Sequence, residues 1–223
     1  MKVAILSANL GNFDDSIDPV VQELPDGFTD IVYHRFTDAD FPPIIGLTPR
    51  LQYRIPKLFG WEMFPGYDYY IWLDGGISFK RSDSVKWYIE QIKNKECLFF
   101  KHPWRRTIRH EVGHIDSRLK RNDPYITPRY KNGLHNEIYQ LIQNDTDYID
   151  DILYASTVFV YKDTPRIRTF MKTWWYYQSR YFTCDQIALT YLIRKMHLKV
   201  ESRPEMLFKI GHVSLVSHHK KRA

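Results

Sequence analysis

The sequence predicts an α/β domain in which helices flank a central, mostly parallel sheet. Strand-like apolar runs alternate with helix-like segments, one run has the unbroken hydrophobicity of a strand buried on both faces, and several helices begin with capping signals. No internal repeat and no clear domain linker interrupts this alternation. We therefore expect one domain at residues 1–216, followed by a short basic tail at residues 217–223.

Composition restricts the class of protein. A chain of 223 residues can bury a sizeable core, and 16% aromatic residues against 26% charged residues argue against disorder. Cys97 and Cys184 are too few for a disulfide framework, which favours a reducing compartment. The chain begins with a strand-like run instead of a secretory leader, and no apolar stretch reaches membrane-spanning length. We expect a soluble, cytoplasmic protein.

The central strand is predicted at residues 70–73. Its large apolar and aromatic side chains run without alternation into Asp74, and Gly75 and Gly76 then break the run. Ligands of open α/β sheets collect beyond the carboxyl ends of such strands, so Asp74 stands where it could meet a metal or a ribose. The two glycines would allow close backbone approach. The alternative is an ordinary strand followed by a Gly-Gly turn.

The remaining elements follow from apolar periodicity and end signals. Further strands are expected at residues 2–8, 30–36, 96–101, 154–161, 198–202 and 206–210. Helices are expected to begin after Thr48, at Ser82 or Ser84, and after Thr164, and a further helix is expected over residues 134–142. Another helix should open with a T-x-x-Q capping box at residues 183–186, which places Asp185 in its first turn, where the helix dipole favours the ionised carboxylate.

Two groups of basic residues indicate an anionic partner. Arg50, Arg54 and Lys57 form one stripe of the helix after Thr48, although such a stripe is often only a solvated face. Residues 102–133 contain eight basic and three acidic residues, several prolines and weak periodicity. We interpret this segment as a binding loop with one short helix at about residues 106–120. A phosphate, an acidic glycan or a lipid surface fits it better than nucleic acid, because it has no recognition motif.

Residues 110–114 read HEVGH, which matches the pattern of zinc hydrolases. On a helix, His110 and His114 would lie one turn apart around zinc, with Glu111 as general base. The extended pattern requires glycine and histidine where this chain has Ser117 and Lys120. A zinc hydrolase is therefore an alternative hypothesis.

Six segments together resemble GT-A-type glycosyltransferases. They read KVAILSANLGN, TPRLQYRIPK, YDYYIWLDGGISF, HPWRR, YASTVFVY and CDQIAL. The chain is similar in particular to the glycosyltransferase-like domains of plant pectin and mucilage biosynthesis and to small viral GT-A domains. The resemblance implies a GT-A-like, Rossmann-like domain. It also implies transfer of a sugar from a nucleotide-diphosphate sugar, with a UDP-sugar the first expectation, to a glycan or another hydroxyl acceptor.

The resemblance also implies where the donor would bind. Ser7 and Asn9 match the loop that receives the nucleoside, and Asp74 with Gly75 and Gly76 matches the D-x-D region at the nucleotide sugar. Arg54 and Lys57 would then contact the diphosphate.

The metal and the catalytic residue are implied in the same way. A D-x-D motif holds Mn²⁺ or Mg²⁺, but Gly76 stands at the position of its second aspartate, so Asp74 and His212 are the expected metal ligands. Asp185 would act as base if transfer inverts the anomeric centre, and would orient the donor if it retains the configuration. The basic stripe could replace part of the cation's role. Because the second aspartate is missing, a non-catalytic nucleotide-binding or glycan-binding module is a further alternative.

The acceptor would bind in the basic segment. Arg105, Arg106 and Glu111 are the residues expected to shape that site. The basic segment and the tail could also make weak contact with an anionic surface.

Overall fold

The computed structural model of the protein describes residues 1–15, 17–92, 94–204 and 207–215. Its strands are β1 (Lys2–Asn9), β2 (Asp30–Thr37), β3 (Tyr69–Leu73), β4 (Ile77–Phe79), β5 (Cys97–Lys101), β6 (Tyr154–Lys162), β7 (Val200–Arg203) and β8 (Val213–Leu215). Its α-helices are α1 (Pro49–Met63), α2 (Ser84–Ile92), α3 (Ile108–Lys120), α4 (Thr127–Tyr130), α5 (Leu134–Gln143), α6 (Pro165–Tyr181) and α7 (Asp185–Lys195). The alternation of strands and helices agrees with the predicted α/β class.

Six strands form the central sheet in the order β2-β1-β3-β6-β5-β7. Strand β6 is antiparallel to both of its neighbours, and the other pairs are parallel. The sheet is therefore mostly parallel, as predicted. Strands β4 and β8 form a separate antiparallel pair beyond the end of β3.

The two faces of the sheet are both covered, which explains the unbroken apolar strands. Tyr70 and Trp72 of β3 belong to one buried cluster together with side chains of α1, α6 and α7. Ile71 and Leu73 belong to a second cluster on the other face, together with side chains of α2. Alternate residues of a strand point to opposite faces, so a strand covered on both sides needs apolar residues at every position.

The predicted starts of two helices are confirmed. The Thr48 hydroxyl accepts a hydrogen bond from the Leu51 amide at 3.2 Å and caps α1, whose first residue is a proline. The Thr164 hydroxyl caps α6 in the same way at 3.2 Å from the Ile167 amide. Each cap satisfies one of the free amide groups of a first turn.

The capping box predicted at residues 183–186 does not form. Cys184 is the N-cap of α7 and makes no side-chain capping bond, and the Thr183 hydroxyl is buried without a hydrogen-bond partner. The backbone position of Thr183 is set instead by α1, because its carbonyl accepts a hydrogen bond from Arg54 at 2.7 Å. Asp185 nevertheless lies in the first turn, as predicted.

Two further segments differ in part from the prediction. Residues 102–133 contain α3, which lies within the bounds of the short helix predicted at about residues 106–120, and also α4, which was not predicted. At residues 206–210, where a strand was expected, Leu207–Lys209 form a 3-10 turn and Met206 lies outside the described residues. A strand follows later, at β8, where β4 supplies a partner.

Cys97 and Cys184 are both free and buried. No helix in the described ranges is long and apolar enough to cross a membrane. The proposed tail at residues 217–223 lies outside the described part of the chain.

Candidate functional site

A cavity of about 330 Å³ opens where β3 ends and β6 begins. Because β6 runs against β3, its first residues lie beside the last residues of β3, and the Asp74 amide donates to the Thr157 carbonyl at 2.9 Å. Helices α1, α3 and α4 and the first turn of α7 complete the wall. The polar lining residues are Arg50, Tyr53, Arg54, Lys57, Asp74, Arg105, Glu111, His114, Arg118, Tyr125, Tyr130, Ser156, Thr157, Asp185 and Gln186.

Asp74 presents one carboxylate oxygen to the protein. Its Oδ1 accepts hydrogen bonds from the Tyr53 hydroxyl at 2.9 Å, the Lys57 ammonium at 3.0 Å and the Trp72 indole at 2.8 Å. No described residue donates to Oδ2, and 27% of the side chain is exposed. One oxygen of a firmly oriented carboxylate is therefore available to a ligand in the cavity.

Gly75 allows β3 and β1 to end side by side. A Cβ at this position would lie 2.6 Å from the Ala8 carbonyl oxygen, closer than side chains approach. The Gly75 amide donates to the Tyr53 hydroxyl at 3.2 Å. Gly75 and Gly76 are buried and do not line the cavity. A close backbone approach was predicted for this glycine pair. At Gly75 it occurs between the backbone after β3 and the backbone of β1, and not between the backbone and a ligand.

Asp185 is held by two cations from α1. Its Oδ1 lies 2.7 Å from Arg54 Nη2, and its Oδ2 lies 2.7 Å from Lys57 Nζ. The Ser156 hydroxyl also donates to Oδ2, at 3.3 Å. Lys57 therefore bridges Asp185 and Asp74. The predicted stripe is not a solvated face, since only 2% of the Lys57 side chain and 6% of the Arg54 side chain are exposed.

The charges of this network control its protonation. Burial raises the pKa of Asp185, but Arg54 and Lys57 outweigh that effect and hold the pKa well below its usual range. Burial lowers the pKa of Lys57, and Asp185 and Asp74 reverse the direction, so the net pKa is raised. The pKa of Tyr53 is raised by burial and by the charge of Asp74, so its hydroxyl stays protonated and can donate. Near neutral pH Asp185 and Lys57 are therefore both charged.

Arg50 differs from the other cations of the cavity wall. Its Nη2 donates to the Tyr130 hydroxyl at 2.5 Å, and its guanidinium lies 4.8 Å from the centre of the Tyr130 ring. Its Nη1 is buried without a hydrogen-bond partner, and no described carboxylate pairs with it. Arg50 therefore has a donor that the protein does not use.

The opposite wall is built by α3 and the residues before it. Arg105 pairs with Glu111, and Arg118 pairs with Asp123. Burial, then the charge of Arg105, lower the pKa of His114. The same two causes, in the same order, lower the pKa of His102 to about 4. These imidazoles are therefore neutral at neutral pH.

Arg105 and Glu111 line the cavity, as an acceptor site would require, but Arg106 is exposed and does not line it. Glu111 is the buried member of this pair, with 6% of its side chain exposed.

The two residues assigned to the nucleoside do not line the cavity. Ser7 is fully buried inside β1. The Asn9 amide closes its own loop, because it donates to the Asp14 carbonyl at 2.9 Å and accepts from the Asp14 amide at 3.1 Å. In this conformation neither side chain is free to contact a base.

His212 does not join Asp74, so the expected pair of metal ligands does not form. The pairing of β4 with β8 sets Phe79 opposite Val213, which places His212 beyond the end of β4 that lies away from Asp74. The imidazole stacks on Trp87 at 4.7 Å and lies 3.2 Å from the Ser84 hydroxyl. This pairing depends on residues distant in sequence, and the order of the chain did not reveal it.

The cavity residues do not fit a protein-held Mn²⁺ or Mg²⁺. Asp74 and Asp185 are the two carboxylates at the end of β3, and the ammonium of Lys57 already lies between them. Both oxygens of Asp185 are occupied by cations. No cluster of three or more histidine, cysteine, aspartate or glutamate side chains suited to a metal occurs in the described ranges.

The HEVGH segment does not form a complete zinc site either. His110 and His114 do lie one turn apart on α3, but no third ligand joins them among the described residues. Glu111, the expected general base, is paired with Arg105.

Several cavity residues were missed by the sequence analysis. Tyr53 could have been selected from its position, because it lies three residues after Arg50 and four residues before Lys57 on α1. Tyr130, Ser156 and Thr157 have no such spacing signal, because only the tertiary fold brings them to the cavity.

Comparison with solved structures gives weak similarity to two glycosyltransferases and to a protein named A197. Mouse xyloside xylosyltransferase 1 in its apo form has 10% identity over 91% of this chain and 85% of its own, with a TM-score of 0.44. The galactosyltransferase LgtC, in complex with donor and acceptor sugar analogues, has 10% identity over 91% and 73%, with a TM-score of 0.39. The protein A197 from STIV has 8% identity over 100% and 98%, with a TM-score of 0.35.

Comparison at the level of sequence is more specific. No curated protein matches the chain significantly. The family profile of the TOD1/MUCI70 glycosyltransferase-like domain matches residues 47–221, which include α1, Asp74, the α3 wall and Asp185. The chain therefore belongs to the TOD1/MUCI70 glycosyltransferase-like domain family.

Proposed function

We propose that the protein transfers a sugar from a nucleotide-diphosphate sugar to a hydroxyl group of an acceptor such as a glycan. The observation that carries this proposal is the unused guanidinium donor of Arg50 in the cavity wall. Membership of a glycosyltransferase-like family supports the reaction class. A UDP-sugar remains the first donor to test.

The charges of the cavity favour an anionic ligand. Five cationic side chains line it, and four of them pair with carboxylates of the protein: Arg54, Lys57, Arg105 and Arg118. Arg50 has no such partner among the described residues. A bidentate guanidinium is well suited to phosphate oxygens, so we assign Arg50 to the diphosphate, with Arg54 and Lys57 behind it.

In the proposed reaction the acceptor oxygen bonds to the anomeric carbon of the sugar. The bond from that carbon to the diphosphate oxygen breaks, the nucleoside diphosphate leaves with the electron pair, and the hydroxyl proton passes to a base. Asp185 is a weak base while Arg54 and Lys57 hold it. A bound diphosphate competes for both cations, which raises the basicity of Asp185. Under inversion Asp185 accepts the proton, and under retention it orients the donor.

A binding module is the second candidate, and the double ion pairing of Asp185 favours it. The two ion pairs of Asp185 are sufficient to explain its position and its charge, without any role in catalysis. The discriminating measurement is release of nucleoside diphosphate from a nucleotide sugar in the presence of glycan acceptors. Binding without release would favour the module.

The test of the proposed function uses the thermal stability of the full chain with UDP, GDP, dTDP or CMP. A ligand at 100-fold its dissociation constant adds roughly 2.7 kcal/mol of stability, which is an easily measured shift. We expect one nucleotide to stabilise the wild type, and we expect Arg50→Ala to weaken its binding by about tenfold or more, since charged hydrogen bonds to phosphate are lost.

Arg194→Ala is the matched control, because Arg194 pairs with Asp151 on the surface away from the cavity. It should leave nucleotide binding unchanged. If no nucleotide stabilises the wild type, the proposed function is wrong.

A further inference from the structure

We propose that the ammonium of Lys57 takes the place of a divalent cation between the two site carboxylates, so that the protein binds its nucleotide donor without a metal ion. This inference rests on the proposed function and deepens it. The position of Lys57 between Asp74 and Asp185 carries it, at 3.0 Å from Asp74 Oδ1 and 2.7 Å from Asp185 Oδ2.

The ammonium is fixed at this position by packing. Lys57 precedes Leu58 on α1, and Leu58 and Trp61 belong to the buried core. Only 2% of the Lys57 side chain is exposed, and its Nζ lies 5.9 Å from the centre of the Trp72 ring. A lysine usually extends its ammonium into solvent, but the stem of Lys57 is enclosed, so its charge stays between the carboxylates.

A divalent cation would have to displace this charge. Mg²⁺ requires near-octahedral oxygen ligands at roughly 2.0–2.1 Å. Asp74 and Asp185 together have four carboxylate oxygens, and three of them are already paired with Arg54 or Lys57. Among the described contacts, Asp74 Oδ2 is the one that is left for a metal ion. A second positive ion beside Lys57 would also be repelled by it. Gly76, two residues after Asp74, has no side chain to add a ligand.

The cations already present can take over part of the charge compensation that a divalent ion would give a diphosphate. Lys57, Arg54 and Arg50 lie at successive spacings of three and four on α1 and line the same cavity. Together they carry three positive charges, and Asp74 and Asp185 offset two of these, which leaves a net charge of +1. Fixed cations can stabilise a leaving phosphate group without any exchange of ions with solvent.

The deciding experiment measures nucleotide affinity by isothermal titration calorimetry on the full chain, once in excess EDTA and once in Mn²⁺. The probes are UDP, GDP, dTDP and CMP. For the nucleotide that binds, we expect dissociation constants within about twofold of each other in the two buffers. Binding that appears only with Mn²⁺ would overturn the inference while leaving the proposed function intact. Absence of binding in both buffers would overturn both.

A variant provides a second readout that does not depend on catalysis. Lys57→Ala leaves two carboxylates facing an opening, so we expect this variant to bind Mn²⁺ directly in electron paramagnetic resonance titrations without nucleotide. Its nucleotide affinity should fall by roughly tenfold or more in EDTA and recover in Mn²⁺. Wild-type protein that binds Mn²⁺ as tightly as the variant would contradict the proposal.

Lys195→Ala is the matched control. Lys195 forms a lysine–aspartate pair of the same length, 2.7 Å from Asp145, but 53% of its side chain is exposed. Its removal should change neither metal nor nucleotide binding. If Lys57→Ala does not fold, Lys57→Met keeps the apolar stem and removes the charge, and the wild-type comparison in EDTA and Mn²⁺ decides by itself.

Discussion

The two walls of the cavity are both lined with ion pairs, but the pairs are built differently. On the α1 wall, Lys57 joins Asp74 and Asp185, which are 17 and 128 residues away. On the α3 wall, each arginine pairs with a carboxylate five or six residues away. The α1 wall therefore depends on the assembled fold, whereas the α3 wall carries its own charge balance.

The strongest test of this comparison removes Asp185. Asp185→Asn leaves Arg54 and Lys57 buried without the charge that balances them, so we expect a loss of about 3–5 kcal/mol in the free energy of unfolding, measured with urea. Asp151→Asn is the control, since Asp151 is exposed and pairs with Arg194 on the surface. A small change in the free energy of unfolding for Asp185→Asn would mean that the ion pairs of the α1 wall contribute little to stability.

The same residue gives a pH dependence. The folded-state pKa of Asp185 is lowered, so its contribution is complete above the unfolded pKa of about 3.9 and is lost as pH falls below it. The difference in stability between wild type and Asp185→Asn should therefore be constant from neutral pH down to about pH 5 and shrink in more acidic buffer.

Two glycines near the two walls should respond to alanine with opposite sign: Gly75, behind the cavity at the end of β3, and Gly113, on the exposed side of α3. In Gly75→Ala the new Cβ meets the Ala8 carbonyl, so we expect a loss of about 1–3 kcal/mol. A Cβ added at Gly113 in α3 would meet nothing within 4 Å, so Gly113→Ala should gain up to about 1 kcal/mol from helix propensity. Thermal unfolding of both variants measures the contrast. Equal effects would contradict the steric contact expected at Gly75.

The α3 side should show its own, weaker pH dependence. The pKa of His102 is lowered to about 4 by burial and by Arg105, whereas an unfolded histidine has a pKa of about 6.5. The unfolded chain binds the extra proton between these values, so stability falls as pH decreases from 6.5 to 4. We expect roughly 1 kcal/mol once solvent screening is allowed for. When stability is measured by urea unfolding at each pH, His102→Asn should reduce the dependence of stability on pH across this range. An unchanged dependence would mean that other groups cause it.

The smallest effect is expected at Arg118. Its side chain is 42% exposed and its partner Asp123 is close in sequence, so Arg118→Ala should change the free energy of unfolding by less than about 1 kcal/mol. Because Arg118 lines the cavity, the same variant should still alter the Michaelis constant for the acceptor once an acceptor is known. A large loss of stability would show that the α3 wall is as interlocked as the α1 wall.

The parts of the fold that local chemistry determines were predicted well. The Thr48 and Thr164 caps, the buried strand that ends at Asp74, and the first-turn position of Asp185 all follow from neighbouring residues. The T-x-x-Q box failed because a tertiary contact competes for the same segment: Arg54 bonds the Thr183 carbonyl.

The candidate site was predicted in part, and the failures share a cause. Asp74, Lys57, Arg54 and Asp185, which were selected from the sequence, line one cavity, and their roles there stay predictions. That the stripe is buried could not be read from α1 alone, because the carboxylates that neutralise it come from other elements. His212 was misplaced for the same reason, since only the pairing of β4 with β8 determines where it lies.

The link between Lys57 and Asp185 also has a consequence for folding kinetics. A contact across 128 residues closes a long loop at an entropic cost. We expect this ion pair to form after the rate-limiting step of folding. We expect Asp185→Asn to accelerate unfolding while leaving the refolding rate almost unchanged. The ion pairs of Asp185 would then lower the unfolding rate, and so lengthen the time that each molecule stays folded. The folding rate would depend on the central sheet instead.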